Sequence, residues 1–361
     1  MNPYSSFGVY IAGPECFYPR GYSLWHAQRK LAEYYGFTVV LPNDAPLKLD
    51  HEDLRLNADA IFANLKKVIE KTDIIIADLE LFRGPNADCG VLFELGMAYA
   101  KGARLYGYTR DKRNTLHKNQ GYYFTENSRG MEESRYYQDL PFAPSLTAST
   151  MIVEGDFYDC LKTVMLDLDE QRKRAWLGIP DRVPFPSVPP AGRSSGEERR
   201  KIFLSTPVRS GDDGPAYYER LKACCAENGL EGLSPLDGTG DFMDESGDPL
   251  ERACRCFALW QEQIRSCDIF LGDLDNFQGW EPNNDVAFEA GAAWKYGKVC
   301  YACMDDIRPM RDKLPNKNGL DPAGNVVENF DYPVNLMFSC SMPVLRGNAE
   351  DAIKQIAGQR R

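Results

Sequence analysis

The stretch "TDIIIADLELFRGPNADCGVLFELGMAYAKG", residues 72 to 102, decides the fold. "DIIIADL" is apolar without alternation, the pattern of a strand buried on both faces in a parallel sheet. "FRGPNADCG" then supplies glycines and polar residues for a loop, and "VLFELGMAYA" reads as a helix from about residue 90. Upstream, "FGVYIA" is a short strand, residues 22 to 35 have helical spacing at Leu24, Ala27 and Leu31, "FTVVL" is a strand, and residues 58 to 70 read as helix. Downstream come the strand "ARLYGYT", a polar, tyrosine-rich insert over residues 112 to 140, the strand "STMIV" and a closing helix from Tyr158. Strands that alternate with helices predict an α/β domain, a doubly wound, flavodoxin-like sheet of five parallel strands covered on both faces.

The chain says this twice. The opening stretch returns as "CDIFLGDLDNFQGWEPNNDVAFEAGAAWKYG" (residues 267 to 297), "VYIAGP" as "IFLSTP", and "LPND" as "SPLD", at offsets between 193 and 195. Agreement over separate segments at nearly one offset identifies a tandem duplication. Between the copies, "IPDRVPFPSVPPAGRSSGEERR" is proline-rich and then polar, the composition of an extended linker. The expected boundaries are a first domain over 1–172, a linker over 173–199 and a second domain over 200–361.

Bulk composition narrows the function. With 43% hydrophobic and 26% charged residues in 361, and no long apolar run, the chain has the make-up of a globular protein without a membrane span. "MNPYSSFGVY" lacks the basic start and apolar middle of a signal peptide. A formal charge of -11, with Lys and Arg scattered, argues against a nucleic-acid groove and suits a small neutral or cationic ligand. Eleven cysteines at irregular spacing and three histidines predict no metal site and no cofactor, and reduced thiols in a cytoplasmic protein.

In a doubly wound sheet, ligands bind beyond the carboxyl ends of the strands. Those ends are "GPECF" (Gly13 to Phe17), Asn43 with Asp44, and Asp78 through Asp88, with Glu94 one turn into the next helix; Gly84 and Gly90 allow close approach to backbone. Asp88 also stands where an acid caps a helix. Glu94 would ordinarily be a solvated helix residue, but Leu92, Phe93, Leu95 and Met97 make its surroundings apolar. Two carboxylates at one cleft, without a metal cluster or a placed histidine, point to an acetal-like carbon: one acid meets the positive charge and the other protonates the leaving group.

"VYIAGPECF", "ANLKKVIEKTDIIIADLELFRG" and "NADCGVLFELGMAYAKG" resemble the nucleoside 2-deoxyribosyltransferase family, over nearly all of residues 7 to 111. The resemblance implies that Glu94 is the nucleophile on the anomeric carbon of 2'-deoxyribose, that Asp88 binds the nucleobase and supplies its proton, and that Tyr10 orients Glu94. It further implies that Asn64 grips the sugar, and that Gly13, Pro14, Phe17, Asn43, Asp44, Asp78, Phe82 and Gly90 surround a substrate whose pocket width Phe17, Phe82 and the insert set. The implied partners are 2'-deoxynucleosides and free nucleobases, with neither nucleic acid nor membrane.

The second copy departs from the pattern. Glu289 matches Glu94, but Asn283, Phe203 and Leu259 stand where Asp88, Tyr10 and Asn64 stand, and an amide cannot deliver a proton as a carboxylic acid does. "STPVRSGDDG" (Ser205 to Gly214) is open to two readings, a phosphate-gripping loop or a loop ion pair. Members of the family resemble dimers in which an Asn-x-Met segment reaches the neighbour's site. "YPVNLMF" keeps that pattern as Asn335 and Met337, whereas Ala143 and Ser145 occupy the matching places in the first copy. The expectation is an intramolecular pseudo-dimer, able to pair again as a homo-oligomer, with one working site completed by Asn335 and Met337. Hydrolysis of 2'-deoxynucleosides or their 5'-monophosphates, and nucleoside binding without catalysis, are the alternatives.

Overall fold

A computed structural model describes residues 3–44, 47–118, 137–179, 199–207, 213–239 and 247–359. In the first half, β1 (Gly8–Ala12) leads through a 3-10 turn (Pro14–Phe17) to α1 (Gly21–Tyr34), β2 (Thr38–Val40), α2 (Leu54–Glu70), β3 (Ile74–Asp78), α3 (Cys89–Lys101) and β4 (Arg104–Thr109). Two short helices, α4 (Thr115–Lys118) and α5 (Pro144–Ser149), precede β5 (Met151–Glu154) and α6 (Phe157–Leu177). The second half runs β6 (Lys201–Ser205), α7 (Gly214–Glu227), β7 (Glu231–Leu233), α8 (Pro249–Ser266), β8 (Ile269–Asp273), α9 (Asn284–Lys295) and β9 (Val299–Met304). It ends with α10 (Met310–Lys313), α11 (Leu336–Ser339), β10 (Val344–Arg346) and α12 (Ala349–Gly358).

Each half is a five-stranded sheet, in the orders β2-β1-β3-β4-β5 and β7-β6-β8-β9-β10, and every pairing between named strands is parallel. The central strand "IIIAD" is buried at every residue, as its unbroken apolar run requires. Two elements differ from the sequence reading. α2 begins at Leu54 rather than 58, because Asp53 accepts the Arg55 amide and caps it. α6, started by a capping box between Asp156 and Asp159, runs to Leu177, into the stretch beginning at 173 that was expected to be linker. Most of that linker, most of the tyrosine-rich insert expected to set the pocket width, and the core of the 205–214 loop lie outside the described residues.

The halves meet through α3 and α9, and the contact is reciprocal. A Cβ on Gly96 would lie 2.0 Å from the Phe288 carbonyl oxygen, and one on Gly291 would lie 2.0 Å from that of Phe93. Gly96 and Gly291 are related by the duplication, as are Phe93 and Phe288, so the helices cross with the self-complementary exchange of a two-fold interface. One apolar cluster extends across both halves: Phe93 packs edge-on against Phe338 at 5.2 Å and Tyr99 against Phe257 at 5.0 Å. The opposite face of each sheet has a separate core of its own. No helix of the described residues is long and apolar enough to cross a membrane.

Candidate active site

A cavity of about 510 Å³ opens beyond the carboxyl ends of β1 and β2 and is walled by both halves. The first half supplies Gly13 and Phe17 after β1, Asn43 after β2, and Asp88, Gly90 and Glu94 at the start of α3. Glu328, Asn335 and Met337 come from the second half.

Glu94 projects from the first turns of α3 into this space. It is 7% exposed, and its Oε1 accepts a hydrogen bond from the Tyr10 hydroxyl at 2.8 Å. Burial pushes its carboxyl up to about 8; the Tyr10 hydrogen bond opposes that rise, while Asp88 and Glu15 add to it by like-charge repulsion. Asp88 has both roles open to it in the sequence. Its Oδ1 caps α3 by accepting the Val91 amide at 2.9 Å, and the residue still borders the cavity. Burial raises its pKa, against which the Val91 amide and the nearby Arg83 guanidinium pull downward.

The second half closes the far wall. Asn335 caps α11 by accepting the Met337 amide at 2.9 Å and donates through Nδ2 to Glu328 at 3.3 Å. The other Glu328 oxygen accepts the Leu336 amide at 3.0 Å. A Cβ on Gly90 would come within 2.8 Å of Asn335 Nδ2, so glycine here is what admits Asn335 over the start of α3.

Among the residues expected around the substrate, Gly13, Phe17, Asn43, Gly90, Asn335 and Met337 border the cavity, and Tyr10 is tied to it through Glu94. Five do not reach it. Asn64 donates to the carbonyl of Pro42, itself on the cavity wall, at 3.2 Å, while Ile61 and Leu65 of the same helix line the cavity. Asp44 accepts the Leu41 amide and pairs with Arg29. Asp78 borders a different cavity on the α1–α6 side of the sheet, beside Tyr108 and Gln28. Phe82 stacks behind Phe17 at 5.3 Å, and Pro14 is buried in the 3-10 turn. Glu328 escaped the sequence reading, because an isolated glutamate in a coil far along the chain carries no local signal.

The equivalent residues of the second half are buried and hydrogen-bonded within the protein. Asn283 caps α9 through the Asp285 and Val286 amides, and fully buried Glu289 accepts from Ser205 Oγ at 2.5 Å. Asp285 stands where Gly90 opens the first site, and its Oδ1 accepts the Ser145 amide at 2.9 Å. Among the described residues, no group of three or more His, Cys, Asp or Glu side chains is placed to hold a metal ion.

The sequence model of one family, "Nucleoside 2-deoxyribosyltransferase", matches the chain twice, over residues 9–140 and 202–337. The chain belongs to the nucleoside 2-deoxyribosyltransferase family. It is thereby placed among transferase enzymes, and the two matches show the duplication independently of the internal comparison. Among solved structures, a 2-desoxiribosyltransferase from Leishmania mexicana is similar at 28% identity, covering 45% of this chain and 99% of that one, with a TM-score of 0.37. The catalytic subunit of a cobaltochelatase from Mycobacterium tuberculosis matches at 10% identity, covering 88% of this chain and 23% of that one, with a TM-score of 0.20. Family membership rests on the two sequence matches and not on these superpositions. No curated protein sequence matches the chain significantly.

Proposed function

We propose that this deoxyribosyltransferase-family chain moves 2'-deoxyribose between nucleobases through a covalent deoxyribosyl–Glu94 ester, at a single site in its first half. The observation that carries the proposal is the Tyr10–Glu94 hydrogen bond of 2.8 Å at the wall of a cavity that Asp88 shares. A carboxylate so held attacks C1' of the bound deoxynucleoside. The C1'–N bond breaks with its electron pair passing to the base, and protonated Asp88 delivers the proton that lets the base leave. The second base reverses the sequence: its ring nitrogen attacks C1', the C1'–O bond to Glu94 breaks, and Asp88 takes the proton. Two inversions give net retention.

The raised pKa of Glu94 fits a nucleophile kept in a dry site. Its anion is poorly solvated, and ester formation removes that charge just as the sugar ring loses its own. The second half contributes Asn335 and Met337 rather than a second active site, since Asn283 stands in place of the acid and Glu289 is held by Ser205 instead of a tyrosine. Unphosphorylated nucleosides suit the cavity better than 5'-monophosphates, because Asp88, Glu94 and Glu328 border it together and, among the described residues, Arg311 is the sole Lys or Arg on its wall.

The test is incubation with deoxyinosine and free adenine, followed for deoxyadenosine. Acid quenching before adenine is added should trap a protein heavier by one deoxyribosyl unit on the peptide bearing Glu94. Hypoxanthine release without deoxyadenosine would make the protein a hydrolase. Turnover without any trapped adduct at Glu94 would refute the covalent route.

A further inference from the structure

The two halves are built alike at their contact, yet at the pseudo-two-fold axis their charges differ. The loops after β3 and β8 meet back to back there. A Cβ on Gly84 would lie 3.0 Å from the Gly279 Cα, and one on Gly279 would lie 2.9 Å from the Gly84 Cα. Arg83 and Gln278, which precede these glycines, hold matching left-handed backbones at φ 52° and 55°. By the same offset, Asn86 corresponds to Glu281. A symmetric pair would carry each charge twice; this chain keeps one cation, in the first half, and one anion, in the second.

Those two residues meet beside the working site. Arg83 Nη1 lies 3.5 Å from Glu281 Oε1, with both side chains no more than 5% exposed. The same guanidinium reaches Asp321 at 3.2 Å, donates to the Val326 carbonyl at 2.7 Å and lies over the Phe82 ring at 4.4 Å. Glu281 Oε2 accepts the Cys89 amide at 3.3 Å, which is the peptide bond leaving Asp88. Val326 in turn donates to the Phe17 carbonyl at 2.8 Å, and both residues border the cavity. One buried pair therefore touches the acid's own peptide and the second-half loop that walls the site.

We infer that Arg83 and Glu281 form a positioning pair through which the second half sets the placement and protonation of Asp88. This rests on Asp88 being the acid of the reaction proposed above. The charged and titratable groups around Asp88 are Cys16 and Tyr18 from the 3-10 turn and its C-cap, Arg83 from the loop after β3, Glu94 and Cys89 from α3, and Glu281 and Glu328 from the second half. Arg83 is the cation among them and favours the Asp88 carboxylate; Glu281 and the other acids oppose it. The reaction needs Asp88 protonated, so the alkaline limb of kcat reports its titration.

Arg83→Gln and Glu281→Gln should therefore move that limb in opposite directions, to higher and lower pH respectively. The double substitution Arg83→Gln with Glu281→Asn copies the neutral residues already tolerated at Gln278 and Asn86. It should fold with a Tm near the parent and lower kcat by about ten- to a hundredfold, with little change in KM, because a misplaced acid acts on the chemical step. If the single variants do not fold, the double variant decides alone. Limbs that stay put or move together, or a folded double variant with parental kcat, would overturn the inference. Asp88→Asn is measured alongside: full turnover in it refutes the acid role itself, whereas loss there with unmoved limbs in the pair variants refutes only the pairing.

Discussion

Replacing Tyr10 with Phe removes one hydroxyl and one hydrogen bond, the 2.8 Å contact to Glu94. The substitution is sterically modest, since Phe203 occupies the equivalent strand position in the second half and is fully buried. Burial holds the Glu94 carboxyl at about 8, and the Tyr10 hydrogen bond favours its anion. A buried hydrogen bond to a charged acceptor contributes about 1.5–3 kcal/mol, and about 1.4 kcal/mol corresponds to one pKa unit. The Glu94 titration should therefore rise by about one to two units in Tyr10→Phe. Since attack needs the carboxylate, the acid limb of kcat/KM moves to higher pH by that amount. At neutral pH the loss should be about ten- to a hundredfold, narrowing above the shifted limb. The assay is deoxyinosine-to-adenine transfer across pH, with Tm followed to verify folding. A uniform loss with the limb unmoved, or a limb displaced to lower pH, would refute the reasoning that Tyr10 stabilises the Glu94 anion.

Glu94→Ala should abolish transfer, whereas Glu289→Ala, if folded, should retain most of it; equal loss in two folded proteins would sink the single-site proposal. Gly90→Asp imports the side chain that Asp285 has at the equivalent position and should push Asn335 out, reducing kcat/KM at least about a hundredfold with little change in Tm. Asn335→Ala leaves the acids in place and should chiefly weaken substrate binding, read as a higher KM with a smaller change in kcat. Stability should fall as pH rises from about 5 to 8, because Glu15, Glu94 and Glu328 are pushed to about 8 and Glu281 to about 7, chiefly by burial. The sign follows from the folded state binding more protons than the unfolded state in that window; a Tm that climbs through it would contradict the buried acids.

How much of this was legible in the chain depended on how local the cause was. The apolar run "IIIAD", the caps of α3 and α9, and the repetition of whole segments at nearly one offset act within a few residues or by direct comparison. They were sufficient for the fold class, the duplication and the singling out of Asp88 and Glu94, whereas the expectation about Tyr10 came from the family resemblance. The α2 boundary slipped because one cap, Asp53, outweighed the apolar pattern that starts later.

Side-chain direction was not legible. Asp44, Asp78 and Phe82 follow strands just as Asn43 and Gly13 do, but a strand sends successive residues to opposite faces, and a loop's course decides which of them meets the cavity. On α2 a single step of about 100° separates Asn64, which turns to Pro42, from Leu65, which lines the site. Asn335 could be singled out by its motif, but the partners that hold it in place, Glu328 and the gap at Gly90, could not. Nor could the meeting of Arg83 with Glu281. By itself the sequence determined two copies of one parallel α/β domain, of which the first retains the acids. Only the tertiary structure decided how the two share the one cavity that the Asn335 and Met337 pattern predicts, because that depends on α3 and α9 crossing at Gly96 and Gly291, a contact between residues about two hundred positions apart whose closeness no local pattern encodes.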